Sequence, residues 1–177
     1  MIAGSTESRL KQLVRDVPDF PKPGILFKDI TPLLADADAL RDAAIAMADP
    51  FRRRDVDQVV GIESRGFILG ALVAHELRAG FIPVRKPGKL PSRVQRIEYA
   101  LEYGTDCLEV HADVGKAPAR VLIVDDVLAT GGTARATCEL MERVGSAIVG
   151  LSFLIVLEFL NGRARLEGRD VAAVIRY

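Results

Sequence analysis

Short apolar runs alternate along this chain with longer stretches in which apolar residues recur at helical spacing. Val121 to Val124 are four consecutive apolar residues, mostly β-branched, and read as a strand buried on both faces. Residues 58–62, 81–84, 148–157 and 171–176 read as further strands, and 99–103 and 107–111 as short ones. Helical spacing marks residues 5–16, where Leu10, Leu13 and Val14 are apolar between charges, and also residues 38–54, 66–79 and 133–144. Asp49-Pro50 interrupts the second of these, because proline removes a helical hydrogen bond, so a kink or restart is expected there. The helix at 66–79 is apolar nearly all round and is expected to be well buried, with Gly80 as its stop. Residues 17–32 hold four of the nine prolines and read as ordered turns or extended chain outside any central sheet. Thr31-Pro32 offers a helix start, N-cap then first turn. Residues 86–97, rich in Pro, Gly, Lys, Arg and Ser, read as a mobile loop. The alternation predicts an α/β fold, a central, mostly parallel sheet with helices on both faces.

VLIVDDVLATGGT, residues 121–133, carries the most chemistry. A strand, two adjacent carboxylates (Asp125 and Asp126), a small-residue loop and a helix start follow one another. Unpaired amide N–H groups at such a helix start favour an anion. Gly131 and Gly132 allow close approach of backbone to a phosphate, and Thr130 and Thr133 add hydroxyl donors beside Ala129. The acids suit sugar hydroxyls, so the expected ligand carries a phosphate with a polyol beside it. An ordinary glycine turn would explain the glycines but not two adjacent carboxylates.

GIESRGF, residues 61–67, is a second strand-to-helix junction, where Ser64 and Arg65 could form a second anion site. A solvated arginine is the alternative. Neither junction has the Gly-Lys-Ser/Thr of a Walker A loop. RKPGKLP, residues 85–91, reads either as a solubilising loop or as a lid whose Arg85, Lys86 and Lys89 close over a polyanion. EYALEYGTD, residues 98–106, would put Glu98 and Glu102 on one face if extended, with Tyr103 beside them. A carboxylate near a closing pocket could move a proton.

The length of 177 residues suits one domain with a substantial core. Formal net charge is zero, which argues against a general nucleic-acid or membrane-surface binder. Cys107 and Cys138 show no metal or redox spacing, and Cys138 reads as a buried thiol. No apolar stretch has the length of a signal peptide at the start or of a bilayer span elsewhere, so the cytoplasm is the expected compartment.

The two-acid T-G-G-T segment resembles the 5-phosphoribosyl 1-diphosphate (PRPP) motif of type I phosphoribosyltransferases. Together with FPKPGILFKDITP (20–32), GIESRGF, RKPGKLP and LEYGTD (101–106), in that order and spacing, it resembles the adenine phosphoribosyltransferase family over about residues 9–177. The resemblance implies one domain, 1–177, with residues 5–35 forming a small N-terminal hood over the base. It implies that Ala129 to Thr133 hold the 5-phosphate and that Asp125 and Asp126 face the ribose hydroxyls. Ser64 and Arg65 would hold the diphosphate across a cis Glu63–Ser64 peptide, covered by Arg85, Lys86 and Lys89. Phe27 would stack on adenine, the Leu26 backbone would read its edge, and Lys28 would lie nearby, where the family often has Arg. Glu102 would be the acid/base group, with Tyr103 near the sugar and Arg65 at the leaving group. The implied cofactor is Mg2+, held through PRPP near Asp125 and Asp126 rather than by protein ligands. The implied partners are adenine, PRPP, AMP and diphosphate, and a second copy of the chain as a homodimer. Another purine base as substrate, or a PRPP-sensing regulator without catalysis, are the alternatives.

Overall fold

The computed structural model describes residues 4–100, 104–114 and 118–177. Five strands form the central sheet: β3 (Gln58–Ile62), β4 (Gly80–Val84), β7 (Arg120–Leu128), β8 (Ala147–Val156) and β9 (Val171–Arg176). They run in the order β4-β3-β7-β8-β9, and every neighbouring pair is parallel. Two antiparallel ribbons stand apart from it, β1 (Arg15–Pro18) with β2 (Leu26–Asp29), and β5 (Val94–Ala100) with β6 (Thr105–His111). The first is the expected segment outside the central sheet. The second replaces the last third of the loop expected at 86–97, because Ile97 pairs with Leu108 across the ribbon and both are buried with Val110.

Alternation along β7 divides the core. Val121 and Ile123 join a cluster with Ile97, Leu108, Cys138 and Leu140 on the face covered by α5 (Gly132–Arg143) and the β5–β6 ribbon. Leu122 and Val124 join Leu10, Leu33, Met47 and Leu69 on the other face. That face is covered by α1 (Gly4–Gln12), α2 (Thr31–Ala35), α3 (Ala37–Ala48) and α4 (Arg65–Leu77). Burial pushes the Cys138 thiol up to about 11, as befits an inert core cysteine. Helix α3 ends at Ala48 and continues as a 3-10 turn over Asp49–Phe51, the expected interruption at proline.

Three local expectations are corrected. Thr31 is not the N-cap of α2. Ile30 takes that position, and Asp29 Oδ1 accepts from the Thr31 amide at 2.9 Å and its hydroxyl at 2.6 Å. Gly80 does not stop α4 but opens β4, while Arg78 takes the left-handed turn at φ 55°. Helix α4 is not buried all round, for Ile68 remains 45% exposed on its outer face.

Candidate active site

The carboxyl ends of β3 and β7 each run into the start of a helix, and the candidate residues gather there. β7 is longer than the four apolar residues suggest. It continues to Leu128, so Asp125 and Asp126 lie within the strand rather than after it. Asp125 lines a small pocket of about 80 Å³ with residues 127–134 and Phe153, whereas Asp126 accepts from Arg65 Nε. Burial, and then the neighbouring Asp126 charge, push the Asp125 carboxyl well above its ordinary range.

Gly131 caps α5 in a left-handed conformation (φ 79°) without any side-chain hydrogen bond to the first turn. The first amides of α5 are therefore the donors available to an anion. A Cβ on Gly131 would lie 2.4 Å from the Gly162 carbonyl oxygen, and one on Gly162 would lie 2.1 Å from the Ala129 carbonyl oxygen. The turn Gly162–Leu166 thus backs directly onto the Ala129–Gly131 loop, a support that the motif does not reveal.

At the second junction the Glu63–Ser64 peptide is cis. Ser64 precedes α4 and makes no side-chain cap. Gly66 brings the first turn of α4 onto β7. A Cβ there would lie 2.8 Å from Asp125 Oδ1 and 3.0 Å from the Val124 carbonyl oxygen. Only glycine lets the two junctions approach this closely.

The basic segment is engaged with carboxylates. Arg85 donates to both Glu63 oxygens at 3.1 and 3.3 Å, and Glu63 also accepts the Lys86 amide at 2.8 Å. The Arg85 guanidinium holds the Glu63 carboxyl below its usual range. Lys86 Nζ donates to Asp106, whose Oδ2 also accepts from the Tyr99 hydroxyl at 3.1 Å. Burial works against the Asp106 charge, but Lys86 and the Cys107 amide outweigh it and its pKa falls. Buried Glu109 accepts the Gly88 amide at 3.0 Å, which fixes the turn to β6. The Lys89 side chain is exposed, and its carbonyl accepts from Arg85 at 3.1 Å.

The β1–β2 ribbon brings Phe27 to this cluster. Its ring packs edge-on against Phe20 at 5.1 Å and lies 5.3 Å from the Arg65 guanidinium. Leu26 is half exposed. The Lys28 side chain does not share the face of Phe27. It alternates away from Phe27, is buried, donates to Asp16 at 2.6 Å and sits 4.0 Å above the Tyr177 ring. Glu102 and Tyr103 lie outside the described residues. The last described rungs of their hairpin are Tyr99 opposite Asp106 and Ala100 opposite Thr105. Among the described residues no group of three or more His, Cys, Asp or Glu could hold a metal ion. No helix among them is long and apolar enough to cross a membrane.

Sequence reasoning missed Glu63, Tyr99, Asp106 and Gly162. The first three sit inside or beside the motifs, but their partners come from other elements. A larger hollow of about 620 Å³, bounded by Asp49, Arg163 and β9, contains none of the candidate residues.

The phosphoribosyl transferase domain model matches residues 30–172. Adenine phosphoribosyltransferase of Acaryochloris marina is 54% identical over 168 residues, 95% of this chain and 99% of that protein. The crystal structure of adenine phosphoribosyltransferase from Rhodothermus marinus superposes with a TM-score of 0.94 at 53% identity, covering 99% of this chain and 100% of that one. The enzyme of Saccharomyces cerevisiae, solved with D-2,5-dideoxy-2,5-imino-altritol 1,6-bisphosphate and adenine, gives 0.91 at 36% identity over 97% of this chain and 99% of its own. With the parallel sheet, the two helix-start loops and the β1–β2 ribbon in place, the chain belongs to the phosphoribosyl transferase family and, within it, to the adenine phosphoribosyltransferases.

Proposed function

We propose that this chain transfers the 5-phosphoribosyl group of PRPP to adenine, giving AMP and diphosphate in purine salvage. The observation that carries the reading is the meeting of Phe27 with Arg65, 5.3 Å apart, beside the Asp125–Thr133 segment. An aromatic face for a base then adjoins a cation for a diphosphate and a helix start for a phosphate.

In this reading Ala129 to Thr133 and the first amides of α5 hold the 5-phosphate. Asp125 and Asp126 accept from the ribose hydroxyls. Their crowding in a buried setting suits hydroxyl donors or a nearby cation, which relieve the repulsion between them. Mg2+, bound to the diphosphate rather than to a protein ligand set, would neutralise charge on the leaving group. Ser64, Arg65, Arg85, Lys86 and Lys89 take the diphosphate oxygens. The C1–O bond breaks, the electron pair leaves with diphosphate, and a purine nitrogen bonds to C1 from the opposite side. Phe27 stacks the adenine and the Leu26 backbone reads its edge; Lys28 serves the hood instead. Glu102 takes the proton from the purine, with Tyr103 near the sugar. Closure of the 85–91 segment keeps water from the cationic sugar.

A homodimer fits the uncovered apolar residues Ile68 on α4 and Phe81 on the edge strand β4, 45% and 37% exposed. The cytoplasm is the compartment proposed for this metabolism.

The test is nucleotide formation from PRPP and Mg2+ with adenine, hypoxanthine, guanine and xanthine in parallel. AMP from adenine alone is expected. Turnover of a 6-oxopurine would overturn the base assignment, and PRPP binding without turnover of any base would point to a regulator. Glu102→Ala should lose most turnover while PRPP still binds; wild-type turnover would remove Glu102 from the mechanism.

A further inference from the structure

Three cations assigned above to the diphosphate each rest on a carboxylate of the chain itself: Arg65 on Asp126, Arg85 on Glu63 and Lys86 on Asp106. Asp126 and Glu63 lie in the same two strand ends as the anion loops. Asp106 does not; it comes from β6 on a separate ribbon. Its carboxylate is held there by the Cys107 amide at 2.8 Å and, across the ribbon, by the Tyr99 hydroxyl at 3.1 Å. The same Tyr99 oxygen lies 3.3 Å from Thr133 Oγ1 in the phosphate loop. The carboxylate is thus stationed between the basic segment and the 5-phosphate loop, within reach of Lys86.

We infer that Asp106 is a positioning residue that competes with the diphosphate for Lys86, holding the ammonium whenever the diphosphate is not on it. The inference rests on the PRPP reading. A diphosphate that takes Lys86 must break the pair with Asp106 and approach a like charge, so ground-state affinity is reduced and diphosphate release is eased. Side-chain exposures of 40% for Lys86 and 25% for Asp106 keep the effect modest.

The experiment is calorimetric titration of Mg-diphosphate, and separately of ribose 5-phosphate, into wild type, Asp106→Asn, Lys86→Met and the double variant. Asp106→Asn should bind Mg-diphosphate about fivefold tighter, the size expected for a half-exposed ion pair. Ribose 5-phosphate affinity should hold, and diphosphate should become a stronger product inhibitor. In the Lys86→Met background Asp106→Asn should tighten binding clearly less than in wild type, because the competition runs through Lys86 and only the repulsion between carboxylate and diphosphate remains. Unchanged or weaker diphosphate binding in Asp106→Asn overturns the proposal, as does tightening that is undiminished without Lys86. Asp106→Ser serves the same comparison if the asparagine variant does not fold. A wild-type protein that binds neither probe would instead overturn the PRPP reading, and the proposal with it.

Discussion

Val121 to Val124 of β7, which lead into the phosphate loop, are fully buried between two layers of side chains. Phe27, by contrast, rides on a ribbon of two four-residue strands of which half the residues are exposed and only Lys28 is buried. That ribbon is held by polar contacts at the rim: Arg15 to Asp29 at 2.6 Å, Lys28 to Asp16 at 2.6 Å, and Lys11 and Lys28 over Tyr177 at 4.2 and 4.0 Å. Close packing transmits small displacements, whereas exposed ion pairs contribute little and rearrange readily. The end proposed to handle PRPP is therefore fixed by the core. The end proposed to select the base is attached more loosely and can be altered without disturbing the sheet.

The sharpest way to break this contrast is Gly131→Ala. The left-handed backbone and the Gly162 carbonyl both oppose a Cβ, so the phosphate loop must shift. A displacement of that kind is expected to lower kcat/KM for PRPP by roughly a hundredfold. Steady-state kinetics at saturating adenine measure it, and near-normal kinetics would mean the loop tolerates movement. Phe27→Ala should act at the other end. Loss of stacking, roughly 1–3 kcal/mol, is expected to appear in KM for adenine, with PRPP affinity nearly unchanged. An equal loss for both substrates would mean that the hood and the phosphate end behave as one unit.

Asp125→Asn separates stability from function at the rigid end. The raised carboxyl pKa means that ionisation costs stability, a cost that grows as pH rises through that pKa. Removing the charge should stabilise the protein by about 1 kcal/mol, a Tm increase of about 2–4 °C at neutral pH, while PRPP binds more weakly. An unchanged or lower Tm would count against the repulsion. The smallest effect is expected at Asp29. The Thr31 hydroxyl and then the Arg15 guanidinium lower its pKa to about 2. Its contribution is complete above the ordinary carboxylate value of about 3.9 and is lost as pH falls through about 2. Asp29→Ala should cost about 1 kcal/mol or less at neutral pH, read by thermal unfolding, with the difference from wild type shrinking in acid.

The residues that could be read in advance are those whose local sequence dictates their role. Four apolar residues, three of them β-branched, before two acids and a Gly-Gly turn have few other meanings, and the parallel sheet follows from the alternation of strands and helices. Proline at position 50 ended α3 for a reason contained in its own ring. What escaped depends on partners far along the chain. Thr31 did not become the N-cap because its hydroxyl and its amide both donate to the Asp29 carboxylate, which leaves Ile30 at that position. Ile97, in a segment that looked like a loop, became a strand residue only because Leu108 pairs with it. Ile68 looked like core because composition cannot tell a covered face from an uncovered one. Lys28 was grouped with its neighbour Phe27, yet strand alternation sends the two side chains to opposite faces. The counter-ions Glu63 and Asp106 carry a charge opposite to that of the ligand site's cations, so a search for anion-binding residues passes over them.

The contact between the phosphate loop and the turn at Gly162 has an evolutionary consequence. Ala129, Gly131 and Gly162 occupy one shared volume, so a side chain gained on either segment needs a compensating shift in the other. The two stretches should be inherited as a pair. A chimera that takes the loop from one relative and the 161–166 turn from another should clash wherever one parent carries a side chain in place of Gly131 or Gly162, however well each piece performs in its parent.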